Sequence, residues 1–137
     1  MTQEELNTIE KKLGIEFPHF YKNTMLNYPF DNDSFGFDCM LPKSPQILED
    51  CNCIFTQSDK CLAIGSDGGE FTYYIKLNGE ETVYIFDLEQ SDYHHSIEAN
   101  TWEDYLDNIH KIDKEYLEEE QKRIERKKNK KWWQFWI

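Results

Sequence analysis

No apolar run in this sequence approaches the ~20 residues needed to cross a bilayer, so stable membrane insertion is not expected. Its opening, Met1-Thr2-Gln3-Glu4-Glu5-Leu6, lacks a basic stretch followed by an apolar one. It does not read as a secretion signal, and a cytoplasmic location is expected. Neither an internal repeat nor a low-complexity linker is present. The four cysteines, Cys39, Cys51, Cys53 and Cys61, lack the paired spacing that lets a turn present two thiolates to one zinc ion, and only Cys51-x-Cys53 comes near it. Reduced thiols in or near the core are expected, with no disulfide and no metal.

Catalytic signals are equally sparse. No serine or cysteine stands in a nucleophile motif. Gly65-Ser66-Asp67-Gly68-Gly69 lacks the Gly-Lys-Ser/Thr ending of a phosphate loop and leads into a strand rather than a helix N-terminus, so it reads as backbone punctuation. His94-His95, beside Asp92 and Glu98, is the one place where imidazoles and carboxylates lie close in sequence. General acid-base work needs such groups to converge on a substrate, and a surface loop of this composition is commonplace. No enzymatic activity and no cofactor are expected.

What is present suits one acidic globular domain. Aromatic residues make up 15% of the 137 and charged ones 31%, and a chain of this length buries about 68% of its unfolded surface. The formal charge of −12 is unevenly spread. Residues 1–121 hold 8 Lys/Arg against 26 Asp/Glu, a net −18, whereas residues 122–137 hold 7 against 1, a net +6. An acidic body repels nucleic acid and draws basic partners, although plain solubility explains it as well.

Thr2 and Glu5 form a capping-box pattern, followed by Leu6, Ile9 and Leu13 at helical spacing and by Gly14 as a stop, which predicts a helix over 3–13. Pro18 sits as a first helical residue of 18–27, with Phe20, Tyr21, Met25 and Leu26 as the apolar side. Asp31-Asn32-Asp33-Ser34 reads as a loop, Phe35 to Leu41 as a strand, and 42–45 as a break; 46–59 gives no clear signal. Cys61 to Gly65 is a strand, and 88–98 a loop or short edge strand. Trp102, Tyr105, Leu106, Ile109, Ile112 and Tyr116 then form the buried stripe of a long helix capped by Asn100 or Thr101. Packing is expected to end near Leu117, with the helix running on unpacked to about Lys130.

Between these elements lies a β-hairpin: Phe71 to Leu77 and Thr82 to Phe86, joined by Asn78-Gly79, the pair that accepts positive φ in a type I′ turn. A two-residue loop puts Leu77 opposite Glu80, Tyr74 opposite Val83 and Phe71 opposite Phe86. Alternation then gives a core face of Phe71, Tyr73, Ile75, Leu77, Tyr84 and Phe86. The second face carries Thr72, Tyr74, Lys76, Glu81, Val83 and Ile85. It is too apolar for a solvated surface and too charged for a core, so either a helix or a partner covers it.

The last stretch, Lys127-Lys128-Asn129-Lys130-Lys131-Trp132-Trp133-Gln134-Phe135-Trp136-Ile137, sets basic residues beside aromatics. Such a mixture suits a membrane interface or stacked bases, but the −18 of the body opposes approach to a polyanion. Folding back over an apolar surface, self-association and contact with a protein partner are the other readings.

Taken in order, these features resemble the SUKH superfamily of immunity-protein and cell-wall-regulator domains. The resemblance is carried by Leu6 to Leu13, Ile15-Glu16-Phe17-Pro18-His19-Phe20-Tyr21, Met25 to Phe30, Ile64-Gly65-Ser66-Asp67-Gly68-Gly69-Glu70-Phe71 and Thr101-Trp102-Glu103-Asp104-Tyr105-Leu106. It covers roughly residues 3–117. Asn27-Tyr28-Pro29 replaces the usual asparagine-glycine, and Glu70 stands where a third glycine often occurs.

The resemblance implies an α+β domain over 1–117, with a mainly antiparallel sheet, N-terminal helices and a long C-terminal helix, and leaves 118–137 as a basic, aromatic helical extension. It further implies a non-enzymatic immunity protein that neutralises a cognate toxin, a nuclease among the options, or else a regulatory scaffold. Asp67, Glu70, Tyr74, Glu81, Asp87, Trp132, Trp133 and Trp136 are the residues expected to meet a partner.

Overall fold

Helix α1 spans Gln3–Leu13, and its start is closed by the capping box: the Thr2 hydroxyl accepts from the Glu5 amide while the Glu5 carboxylate accepts from the Thr2 amide. Gly14 ends it at φ 67°, the left-handed conformation that costs glycine least. In this computed structural model the described residues are 1–55, 59–87 and 96–134, without the side chains of 129–134. Helix α2 is His19–Leu26, with Pro18 just before its first turn. Then come a π-helical turn at Gly36–Met40, helix α3 at Pro45–Cys51 and a 3₁₀ turn at Asn52–Ile54. Strands β1 (Cys61–Ser66), β2 (Phe71–Lys76), β3 (Val83–Asp87) and β4 (Ser96–Ala99) follow, and helix α4 runs unbroken over Trp102–Gln134. The fold is α+β: the strands form one antiparallel meander in the order β1-β2-β3-β4, backed by helices.

The core lies between one sheet face and the helices. Leu6 and Ile9 of α1, Tyr21 and Met25 of α2, Tyr73 and Ile75 of β2, and Trp102, Tyr105 and Ile109 of α4 are all buried in one cluster. Each such side chain contributes roughly 1.5–3 kcal/mol by leaving water. Polar ties fix the angles between elements. The Trp102 indole donates to Thr24 Oγ1 at 2.8 Å, joining α4 to α2, and Lys22 pairs with Glu10 at 3.3 Å, joining α2 to α1.

Tyr21 departs from this rule. Its ring is fully buried, in edge contact with Phe17 and Trp102, and its hydroxyl has no hydrogen-bond partner among the described residues. Burial holds that hydroxyl protonated far above its ordinary range. An unpaired buried hydroxyl costs free energy. Tyr21→Phe is therefore expected to leave stability unchanged or raise it by up to about 1 kcal/mol. A denaturant melt showing a loss larger than that would mean the hydroxyl is paired.

Two sequence expectations are corrected. Phe35 to Leu41 is not a strand but the π-helical turn with its flanks, because its first amides are taken by side chains. Phe35 N donates to Asp113 Oδ1 at 2.9 Å and Gly36 N to Ser34 Oγ at 3.0 Å, so a carboxylate from α4 caps the turn. The hairpin register also slips by one. Tyr74 faces Tyr84, Ile75 faces Val83 and Phe71 faces Asp87. The reversal takes residues 77–82 instead of two, since the Leu77 amide turns away to Lys60 O at 2.9 Å and the Asn78 side chain accepts from the Glu80 amide. A one-residue slip moves every β3 side chain to the opposite face. Val83 and Ile85 join the core, while Tyr84 and Phe86 join Tyr74 on the outer face.

Candidate functional site

Slipping β3 builds an aromatic outer face. Tyr74 and Tyr84, directly opposed across β2 and β3, stack at 5.4 Å with 21° between their planes. Phe55, which follows the 3₁₀ turn, meets Tyr74 at 5.4 Å and Phe86 at 6.4 Å, both edge-on. Tyr74 forms the floor, only 1% exposed. Burial, and secondarily Cys61 and Tyr84, raises its hydroxyl well above the ordinary tyrosine range. It supports this face from beneath.

Tyr84 is different, being half-buried and held on three sides. Tyr74 stacks on it, Lys76 Nζ sits 4.6 Å from its ring centroid, and its hydroxyl donates to Glu80 Oε2 at 2.9 Å. A ring pre-set in this way loses little side-chain freedom when a partner covers it, and tyrosine is among the residue types that dominate binding energy. The sequence reading placed Tyr84 in the core. Its signal, an aromatic pair across the strands, becomes legible only with the correct register.

The expected acidic contacts fall at the two ends of this face. Asp67, Glu70 and Asp87 gather at the β1–β2 turn, where Asp67 Oδ1 accepts from the amides of Gly69 (2.9 Å) and Phe71 (3.1 Å) and so shapes the turn. Glu81 lies at the opposite end beside Glu80. Six residue steps of turn and strand separate it from Asp87, about 20 Å at ~3.3 Å per residue. One standard interface of about 800 Å² per partner, roughly 30 Å across, spans both ends. The backbone of Trp132 and Trp133 belongs to α4, whereas Trp136 lies outside the described residues, as do His94, His95 and Asp92.

A second feature was not anticipated. A groove of about 700 Å³ runs between residues 29–38 and the middle of α4, with Asp31, Asp33 and Asp38 on one wall and Asp113, Leu117 and Glu120 on the other. Ser34 Oγ, buried, donates to Asp113 Oδ2 at 2.5 Å. Phe30 packs on the His110 ring at 4.8 Å and Phe35 meets Tyr116 edge-on at 5.3 Å. The Cys39 thiol is pushed up by burial and then by Asp38, with smaller contributions from Asp67 and Asp113. The Asp31-Asn32-Asp33-Ser34 loop was visible in sequence, but its facing wall lies about 80 residues away.

All four cysteines are free, Cys53 exposed and the others half-buried. Among the described residues no group of His, Cys, Asp and Glu is arranged to hold a metal ion, and no helix is long and apolar enough to cross a membrane.

Fold and surface define an α+β domain: a helix-backed antiparallel meander with an aromatic outer face and acidic ends. Residues 1–108 match the family model described as SMI1 / KNR4 family (SUKH-1), and the chain belongs to that family. No curated protein and no solved structure matches it.

Proposed function

We propose that this chain is a non-enzymatic immunity protein that binds and neutralises a cognate bacterial toxin domain, with the outer sheet face as the contact. The observation that carries the contact is Tyr84, fixed by Tyr74, Lys76 and Glu80 between acidic ends formed by Glu70 with Asp87 and by Glu81. Aromatic anchors surrounded by a charged rim are the usual anatomy of a protein interface. Family membership supports the role, because SUKH domains are generally non-catalytic immunity or regulator domains. The net −18 on residues 1–121 suits a basic target, and a nuclease, whose nucleic-acid surface is basic, fits it best.

Co-expression with a toxin encoded beside this gene tests the proposal. Cells carrying the wild-type chain should survive and yield a complex, and Tyr84→Ala should weaken binding by about 2 kcal/mol, roughly 30-fold, while melting like the parent. Failure of the wild-type chain either to protect or to bind would end the immunity reading. Full protection by Tyr84→Ala would move the contact elsewhere. A regulatory scaffold is the second reading, favoured by the long exposed part of α4. Charge neutralisation of residues 122–131 separates the two, since toxin neutralisation should survive it and tail-mediated recruitment should not.

A further inference from the structure

Helix α4 is 33 residues long, about 50 Å at 1.5 Å per residue, yet every residue from Lys114 to Lys128 is exposed. The exposed stretch carries three large apolar side chains, Tyr116, Leu117 and Ile124, with Leu117 60% and Ile124 54% exposed. Its charge is split along the axis. Residues 103–120 hold eight carboxylates and two lysines, a net −6, and residues 122–131 hold seven cations and one carboxylate, a net +6. No glycine or proline interrupts the helix, so the basic half cannot fold back onto the acidic half of its own chain. Apart from the i, i+4 neighbours at the boundary, Glu118 with Lys122 and Glu119 with Arg123, the two halves can meet only between two molecules.

We propose that α4 is a homodimer interface in which two copies pair antiparallel, each laying its basic stretch along the other's acidic one. Setting Leu117 opposite Ile124 of the second copy fixes a two-fold centre between residues 120 and 121. That register places Glu119 opposite Lys122, Glu118 opposite Arg123, Glu115 opposite Arg126 and Asp113 opposite Lys128, with two like-charge pairs, Lys114 with Lys127 and Lys111 with Lys130. A parallel pair would set like charges against each other along the whole stretch. The two-fold arrangement is self-complementary, as an isologous interface must be. Asp31 and Asp33 of the groove extend the acidic wall beside the path of the incoming basic helix. The interface lies mostly beyond residue 108, where the family match ends, so it belongs to this chain's own extension.

Sedimentation equilibrium of the full chain at about 100 μM tests this. A dimer is expected at 0.1 M salt, weakening at least about tenfold by 1 M as the Debye length falls from about 10 Å to about 3 Å. Leu117→Glu/Ile124→Glu should be monomeric and fold normally, since both positions are exposed. Glu115→Arg/Glu118→Arg/Glu119→Arg and Lys122→Glu/Arg123→Glu/Arg126→Glu should each be monomeric alone and associate when mixed. A monomeric wild type, a dimer indifferent to salt, or one lost only in Trp132→Ala/Trp133→Ala/Trp136→Ala would overturn the proposal. None of the α4 substitutions touches Tyr84, so toxin protection reads out separately from dimerisation.

Discussion

Gly65→Ala is expected to cost about 3–5 kcal/mol and lower the melting temperature by 10 °C or more, a large share of the ~5–15 kcal/mol that holds a domain folded. A Cβ at this buried strand position would lie 2.2 Å from the Met40 carbonyl oxygen and 2.6 Å from that of Cys39, and both are backbone atoms that no rotamer change can move aside. The Met40 carbonyl is also the acceptor for the buried Tyr105 hydroxyl. Making room means pushing the π-helical turn away from β1, which strains that bond and opens the contact of Tyr105 with Tyr73 and Trp102. Gly69→Ala is the matched control in the same motif. Its Cβ would meet only Asp67 Oδ1 at 3.6 Å, an ordinary contact, and its melt should stay within about 2 °C of the parent. Equal melting curves for the two variants would refute the close approach.

Asn52→Ala should cost about 3 kcal/mol, because one side chain does the work of a missing strand. β1 is an edge of the sheet. Asn52 Oδ1 accepts from the Ala63 amide at 2.8 Å, and its Nδ2 donates to the carbonyls of Ala63 at 3.0 Å and Leu48 at 2.8 Å. Alanine would leave the buried amide and carbonyl of Ala63 unpaired and uncover a strand edge, so faster aggregation should accompany the lower denaturant midpoint. Asn52→Asp sharpens the test. A carboxylate cannot donate to those carbonyls, and burial among them raises its folded pKa above the usual ~3.9. The aspartate variant should therefore be least impaired below about pH 4 and lose further stability as pH rises through that raised value. A pH-independent deficit would argue against the bidentate contact.

Neither effect could be read in full from residue order. Gly65 was legible as the end of a strand leading into a turn, but its role is to admit the backbone of Cys39 and Met40, some 25 positions earlier in the chain. Asn52 fell within 46–59, a stretch without helical or alternating period, since α3 is only seven residues long and passes directly into a 3₁₀ turn. The Phe35 to Leu41 segment did alternate like a strand. A carboxylate from α4 and the Ser34 hydroxyl then supplied its amides with partners that no local pattern announces.

Residue order by itself determined the locally governed features: α1 with its Thr2–Glu5 box, the start of α4 at Thr101, whose hydroxyl accepts from the Asp104 amide, the presence of a hairpin, and the division of charge near residue 121. Each depends on contacts within a turn or two of chain, or on composition alone. Tertiary structure decided which way β3 faces, and therefore that Tyr84 lies on the outer surface and Val83 in the core. Tertiary structure likewise decided where the two walls of the acidic groove meet. Strand register answers to how many residues the loop consumes and to which face the helices bury. With a side-chain period of two, an error of one residue is enough to exchange core for surface.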